Sequence, residues 1–331
     1  MLAHDGELMF ATSPITENVA LLVQIAHTLA TLVFAGVVFC EVLVVRLRST
    51  PRMLRRVRSA AGVAAIVLAP PLVVTQALRV SGRNLVDVVH PVAWVSAVWW
   101  QLAASGVLSV VGIAFALVML AVRRRGGVPV VAGVAAVLAA AAAASVPVLL
   151  GHTQSVEPMW LIQIVDIVHL QVAAFWVGGT CALALYYAGV RAGERGGIAT
   201  EAALVTVRFS TIALVTVIVL TVAGVALAVL VFDEPEALVS TSYGRILVVK
   251  TVLVLCVGVA AGWNRRRLLP LIERQPNDEA AWAALRYAVL IEAALLVVVV
   301  VISGLLSDAD PHGHSGMDAA APAALVVPVR S

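Results

Sequence analysis

Charge is what this chain has least of. Only 12% of its 331 residues are Asp, Glu, Lys or Arg, and Lys250 is the single lysine among 22 basic residues. A water-soluble globular chain carries about 25% charged and under ~50% apolar residues. Here 62% are hydrophobic and the mean hydropathy is +1.03, which excludes that class and intrinsic disorder together. Cysteine is nearly missing: Cys40, Cys181 and Cys256 all fall inside apolar runs, so their spacing encodes neither a disulfide framework nor a zinc site. Aromatics make up only 5%. Also missing are a Walker loop, Gly-x-Ser-x-Gly, His-Glu-x-x-His and Cys-x-x-Cys. Their absence excludes an ATP-driven pump, a hydrolase and a P-type ATPase, and the chain reads as no enzyme.

Long apolar runs are what the chain does have. Crossing a hydrocarbon core of about 30 Å takes roughly 20 apolar residues. Eight runs qualify, near 17–45, 59–79, 94–122, 128–150, 159–190, 204–232, 245–263 and 285–306. A transmembrane β-barrel would alternate over strands of about ten residues instead. The expected fold is therefore all-α, a polytopic membrane bundle of eight transmembrane helices. Pro70-Pro71, Pro147, Gly178-Gly179 and Gly224 lie within the runs, which membrane helices tolerate where neighbours satisfy the freed backbone groups. The stretch Ala139 to Ser145 suits close helix contact.

The arginines orient the bundle. Seventeen of the 22 basic residues lie in or beside alternate loops, beginning with RLRSTPRMLRRVR after the first run. The opposite loops, GHTQSVEP and FDEPEALVSTSY, are sparse in charge or acidic. The positive-inside rule then puts both termini outside the cytoplasm of a bacterial inner membrane. The pI near 9.0 is a topology signal, with the lipid bilayer as partner and no nucleic acid required. MLAHDGELMF, with Asp5 and Glu7 and no basic n-region, does not read as a signal peptide.

The chain divides into an outward-facing segment 1–16, a first four-helix half 17–150, a second half 151–306 and an outward-facing tail 307–331. The halves show a short internal similarity. In QIAHTLATLVFAG and VDIVHLQVAAFWVGG a histidine (His27, His169) precedes a glycine (Gly36, Gly178) by nine residues, with an aromatic (Phe34, Phe175) between. Four spans per half make this a parallel repeat, with the two histidines at matched depth roughly 15 Å below the outer surface.

All seven histidines fall on the outer half. His4, His90, His152, His312 and His314 occupy outward segments, and His27 and His169 lie inside helices that start outside. The tail DPHGHSGMD carries two of them and can gather Cu(II), Ni(II) or Zn(II). Met159 opens the fifth span and joins the metal-ligand candidates. Ionisable groups inside a membrane are functional candidates by default. His27 shares its face with Gln24, Thr28 and Thr31, and His169 shares its face with Asp166. Asp166 and Lys250 lie at similar depths, where they form an ion pair or Asp166 orients His169. Glu292 pairs with Arg208, the favoured arrangement, or lines an exit path, and Glu41 meets Arg46 or snorkels. Imidazole suits copper, zinc and haem iron equally. No methionine ladder marks a purely thioether Cu(I) path.

The second half carries a family likeness. It reads HLQVAAFWVGG, RFSTIALVTVIVLTVAGVAL, TSYGRILVVKTVLVLCVGVAAGWNRRRLLP and LRYAVLIEAALLVVVVVISGLL. This resembles the copper resistance D (CopD) family over about 165–306, through His169, Trp176, Gly178, Gly179, Phe209, Ser210, Tyr243, Gly244, Arg245, Lys250, Asn264, Arg265 and Glu292. The resemblance implies copper movement across the inner membrane, beside a separate periplasmic CopC-like protein, since this chain holds no CopC-like β-domain. Three readings follow. The first is a copper carrier with His27 and His169 as one intramembrane station between the repeats. The second is a b-type haem electron-transfer protein with those histidines as axial ligands. The third is a factor delivering copper to a respiratory oxidase.

Overall fold

The computed structural model describes residues 12–45, 51–89, 99–126, 128–150, 158–191, 199–231, 236–275 and 278–307. Eight long apolar helices run through them: α1 (Pro14–Val45), α2 (Arg52–Val80), α3 (Trp100–Arg125), α4 (Pro129–Leu150), α5 (Met159–Tyr187), α6 (Ala202–Val231), α7 (Ser242–Arg274) and α8 (Glu279–Leu306). No strand occurs among the described residues. The chain is an all-α, polytopic membrane protein, as its apolar runs require.

Local chemistry starts the helices where it can satisfy the exposed first-turn amides. Pro14 occupies the first turn of α1, where its missing N–H is no loss, and Ser13 Oγ accepts from the Thr16 N–H at 3.3 Å. Thr241 Oγ1 accepts from the Gly244 N–H at 2.9 Å ahead of α7. Asp278 accepts from the Ala280 and Ala281 N–H groups at 2.9 and 3.1 Å ahead of α8.

Three helices outrun their apolar segments. α2 starts at Arg52 rather than near 59, α7 continues to Arg274 rather than ending near 263, and α8 starts at Glu279 rather than near 285. Hydropathy marks where the hydrocarbon ends, whereas a helix goes on wherever its backbone bonds can. Arginine is a good helix former, so the arginine runs extend the helices beyond the bilayer core. Two wide π-turns interrupt the regular winding, Cys40–Val45 in α1 and Asn264–Leu268 in α7. Such turns recur at functional positions because they re-aim side chains.

α1 is the central helix: 67% of its apolar window is buried, against 11% for α6 and 6% for α7, which lie at the periphery of the bundle. α1 packs on α2, α4, α5 and α8, while α5 packs on α1, α6 and α8. α6 and α7 meet through the Leu269–Arg274 turn rather than along their apolar lengths.

A glycine seam between α1 and α5 is one of the contacts that join the two halves. A Cβ on Gly36 would lie 1.9 Å from the Ala174 carbonyl oxygen and 2.6 Å from the Gly178 Cα. A Cβ on Gly178 would lie 2.7 Å from the Gly36 Cα. Only two glycines let these backbones approach so closely, the small-residue contact typical of membrane helices.

Candidate functional site

Nine residues of α-helix are two and a half turns, which turns a side chain about 180°. His27 and His169 therefore lie on the sides of α1 and α5 opposite Gly36 and Gly178, which form the seam. The structure bears this out and separates the histidines. His27, 1% exposed, points into the first half, where its Nε2 and Ser109 Oγ of α3 are 2.8 Å apart. His169 points into the second half, against Gly224 of α6, where an added Cβ would lie 3.7 Å from its Cε1. The single station expected between the repeats is not formed, and the two imidazoles do not face one haem iron. Matched spacing was legible in the sequence; which face of each helix meets the other half was not.

The polar groups around His27 are mutually satisfied. Gln24 Oε1 accepts from Gln76 Nε2 of α2 at 2.9 Å, and Thr31 Oγ1 donates to the His27 carbonyl at 2.8 Å. This layer holds no charge.

Its counterpart in the second half is charged. Asp166 and His169 on α5 and Tyr243 and Lys250 on α7 lie roughly 10–15 Å or less from the helix ends at which α5 and α7 begin, by helical rise. Among the described residues Asp166 and Lys250 make no close salt bridge. Asp166 does not hydrogen-bond His169 either, whose Nδ1 is buried without a partner. Neither of the two arrangements expected for Asp166, a close Asp166–Lys250 ion pair or an Asp166–His169 hydrogen bond, is thus formed among the described residues.

Toward the arginine-rich end, the second half encloses a cavity of about 120 Å³ between α5, α6, α7 and α8. Trp176 and Phe209 form an apolar wall, and Ser210, Asn264, Arg265 and Glu292 supply its polar groups. Asn264 Nδ2 donates to the Glu292 carboxylate, and an Arg265 guanidinium N–H donates to Ser210 Oγ at 2.6 Å. Glu292 thus pairs with Asn264 and not with Arg208, which is exposed on α6. The π-turn starts at Asn264 and aims both it and Arg265 across the helix wall. Phe209 stacks on Phe175 at 5.4 Å between centroids and fits closely over Gly179, where a Cβ would come within 2.8 Å of its ring.

The remaining glycine motif is architectural. A Cβ on Gly244 would lie 2.3 Å from the Ala237 carbonyl oxygen, so it seats the short helix Ala237–Ser240 on α7. Arg245 beside it is exposed. Met159 is exposed at the start of α5. His4, His90, His152, His312 and His314 lie outside the described residues. Among the described residues, no three His, Cys, Asp or Glu side chains cluster around a metal-sized point.

Sequence reasoning missed one buried network. Glu41, 4% exposed at its side chain, is held by Arg58 of α2 and by Arg124 of α3, the latter at 3.3 Å. It therefore does not snorkel. Ser109, Gln76 and Arg58 were also missed, since each is unremarkable until a neighbouring helix presents its partner.

Comparison with known proteins adds one match. Residues 202–306, about a third of the chain, match the family model described as Copper resistance protein D. No curated protein and no solved structure matches the chain. The match starts after α5, so His169, Trp176, Gly178 and Gly179 lie outside it. The last three spans, which carry Phe209, Ser210, Lys250, Asn264, Arg265 and Glu292, are a copper resistance protein D-like region.

Proposed function

We propose that this protein carries copper ions across a bacterial inner membrane, from the side where α1 starts and α8 ends toward the arginine-rich side, through the second half alone. The observation that carries this reading is convergence. Five residues of the matched region, Phe209, Ser210, Asn264, Arg265 and Glu292, meet at one cavity. On the same four helices, the His169–Asp166–Lys250 cluster lies nearer the opposite end. The unpartnered Nδ1 of His169 is a free imidazole donor for a copper ion, and Asp166 supplies a nearby carboxylate. Lys250 beside them lowers the affinity for a cation. Weak, few-ligand sites suit a cargo that must leave as well as enter. The loose α6–α7 contact gives these polar groups room to rearrange.

In this reading Glu292 and Asn264 form the inner station, and the external histidines, with Met159, gather the ion. A separate CopC-like protein outside the membrane is the partner that would deliver it. The two halves are parallel repeats: the same interval separates His27 from His169 and Gly36 from Gly178, and the two glycines pack on each other at the seam. The first half has kept the architecture and lost the charged path.

Copper accumulation in intact cells, measured by elemental analysis at matched membrane levels, tests the route. Glu292→Gln should reduce accumulation at least tenfold while leaving insertion intact; unchanged accumulation in Glu292→Gln would remove the inner station. Orientation is tested by reporter fusions. Fusions at Arg124 and Arg266 should report cytoplasm and fusions after Pro235 the outside, and the reverse pattern would invert the proposed direction.

A further inference from the structure

The arginine-rich end of the first half holds a second cavity, of about 440 Å³, lined by Arg52, Arg55, Arg56, Arg58, Ser59 and Arg124. Among the described residues no carboxylate lines it, and Glu41 is the acid shared by Arg58 and Arg124. Arg58 is 5% exposed, and its Nε is a buried donor without a partner.

The N-terminus of α2 adds to this positive field. Its cap is Pro51, no side chain among the described residues bonds the free amides there, and its first turn holds no acid. A helix N-terminus carries roughly half a positive charge and favours anions. Four arginines in the first two turns, Arg52, Arg55, Arg56 and Arg58, add their charge to that field. The cavity lies where α2 begins and α3 ends, at the arginine-bearing ends of two spans; basic side chains at the end of a span attract anionic lipid headgroups. Below it, Arg56, Ser59, Val63 and Val67 follow one another at helical spacing on α2, and Val63 and Val67 are 56% and 63% exposed. A polar pocket thus continues into an apolar, uncovered strip.

We propose that this cavity binds the phosphate of an anionic phospholipid, with guanidinium forks on the headgroup and an acyl chain along Val63 and Val67. Arginine suits this ligand because its planar donors match phosphate oxygens two at a time. The uncovered strip favours a lipid over free phosphate. The lipid clamps α2 to α3 at the end opposite the His27 layer, independently of any copper path.

Full-length protein, purified in mild detergent and offered phosphatidylglycerol or phosphatidylcholine with the same acyl chains, tests this by native mass spectrometry of retained lipid. Phosphatidylglycerol should be retained and phosphatidylcholine not. The triple variant R52Q/R55Q/R56Q should weaken retention by roughly 100-fold, at about fivefold per lost charge. It leaves the Glu41–Arg58 pair in place. R56Q alone gives the same readout at roughly fivefold if the triple variant is not recovered. Equal retention of both lipids, or phosphatidylglycerol retention unchanged in the variants, would overturn the proposal. Displacement of the lipid by inorganic phosphate at equal concentration would overturn the lipid assignment in favour of a free-anion site.

Discussion

In the first half of the bundle, His27 is closed off by Ser109, Gln24 by Gln76, and Glu41 by Arg58 and Arg124. In the second half, at corresponding levels, His169 keeps a buried Nδ1 without a partner, and Asp166 and Lys250 make no close salt bridge among the described residues. Glu292 there has only the Asn264 amide beside a cavity. An unsatisfied buried polar group costs about 1–3 kcal/mol. The intramembrane histidine is thus closed off in the first half and keeps an open nitrogen in the second, where the packing is also loosest.

The seam between the halves should show the largest effect. Gly36→Leu drives a side chain into the α5 backbone, and we expect loss of monodisperse protein on size-exclusion chromatography. Gly258→Ala, which meets open space, should behave as the parent protein. A well-behaved Gly36→Leu protein would mean that the halves can separate without consequence.

Next comes the charge network. Arg58→Met removes the more buried of the two guanidinium groups that hold Glu41 and should cost about 3–5 kcal/mol in denaturation experiments. Adding Glu41→Gln should restore most of that loss. Glu292→Gln should cost about 1 kcal/mol or less, because its partner is a neutral amide. Equal losses for Arg58→Met and Glu292→Gln would erase the distinction between supporting and binding carboxylates.

The histidine pair should separate function from stability. His27→Ala leaves Ser109 unpaired and should cost about 1–3 kcal/mol while copper accumulation persists. His169→Ala should leave stability within about 1 kcal/mol and reduce copper accumulation by at least tenfold. Loss of accumulation in both variants, with both proteins stable, would return the two histidines to one shared path.

Much of this was legible in the sequence, for identifiable reasons. Eight spans follow from hydrocarbon thickness, and their number survives even where ends moved by several residues, as at Arg52 and Arg274. His27 and His169 stand out because imidazoles are rare in apolar helices. The nine-residue spacing to Gly36 and Gly178 already held the 180° turn that separates them, but that turn has meaning only once the glycines are known to form the seam. Glu292 stood out as an intramembrane acid, yet Arg208 and Asn264 were equally available partners on paper. The π-turn at Asn264 is what brings the amide to it. Glu41 and Arg58, seventeen residues apart, meet only because α2 folds back along α1.

Sequence alone determined the class of structure, the span count and which polar residues are costly enough to need a partner. These depend on residue type against a bilayer of known thickness and on local backbone chemistry. Tertiary structure alone decided which of those residues found partners and which were left open beside a cavity. A hydrogen bond depends on positions to within a few tenths of an ångström, and only the packing of several helices sets those positions.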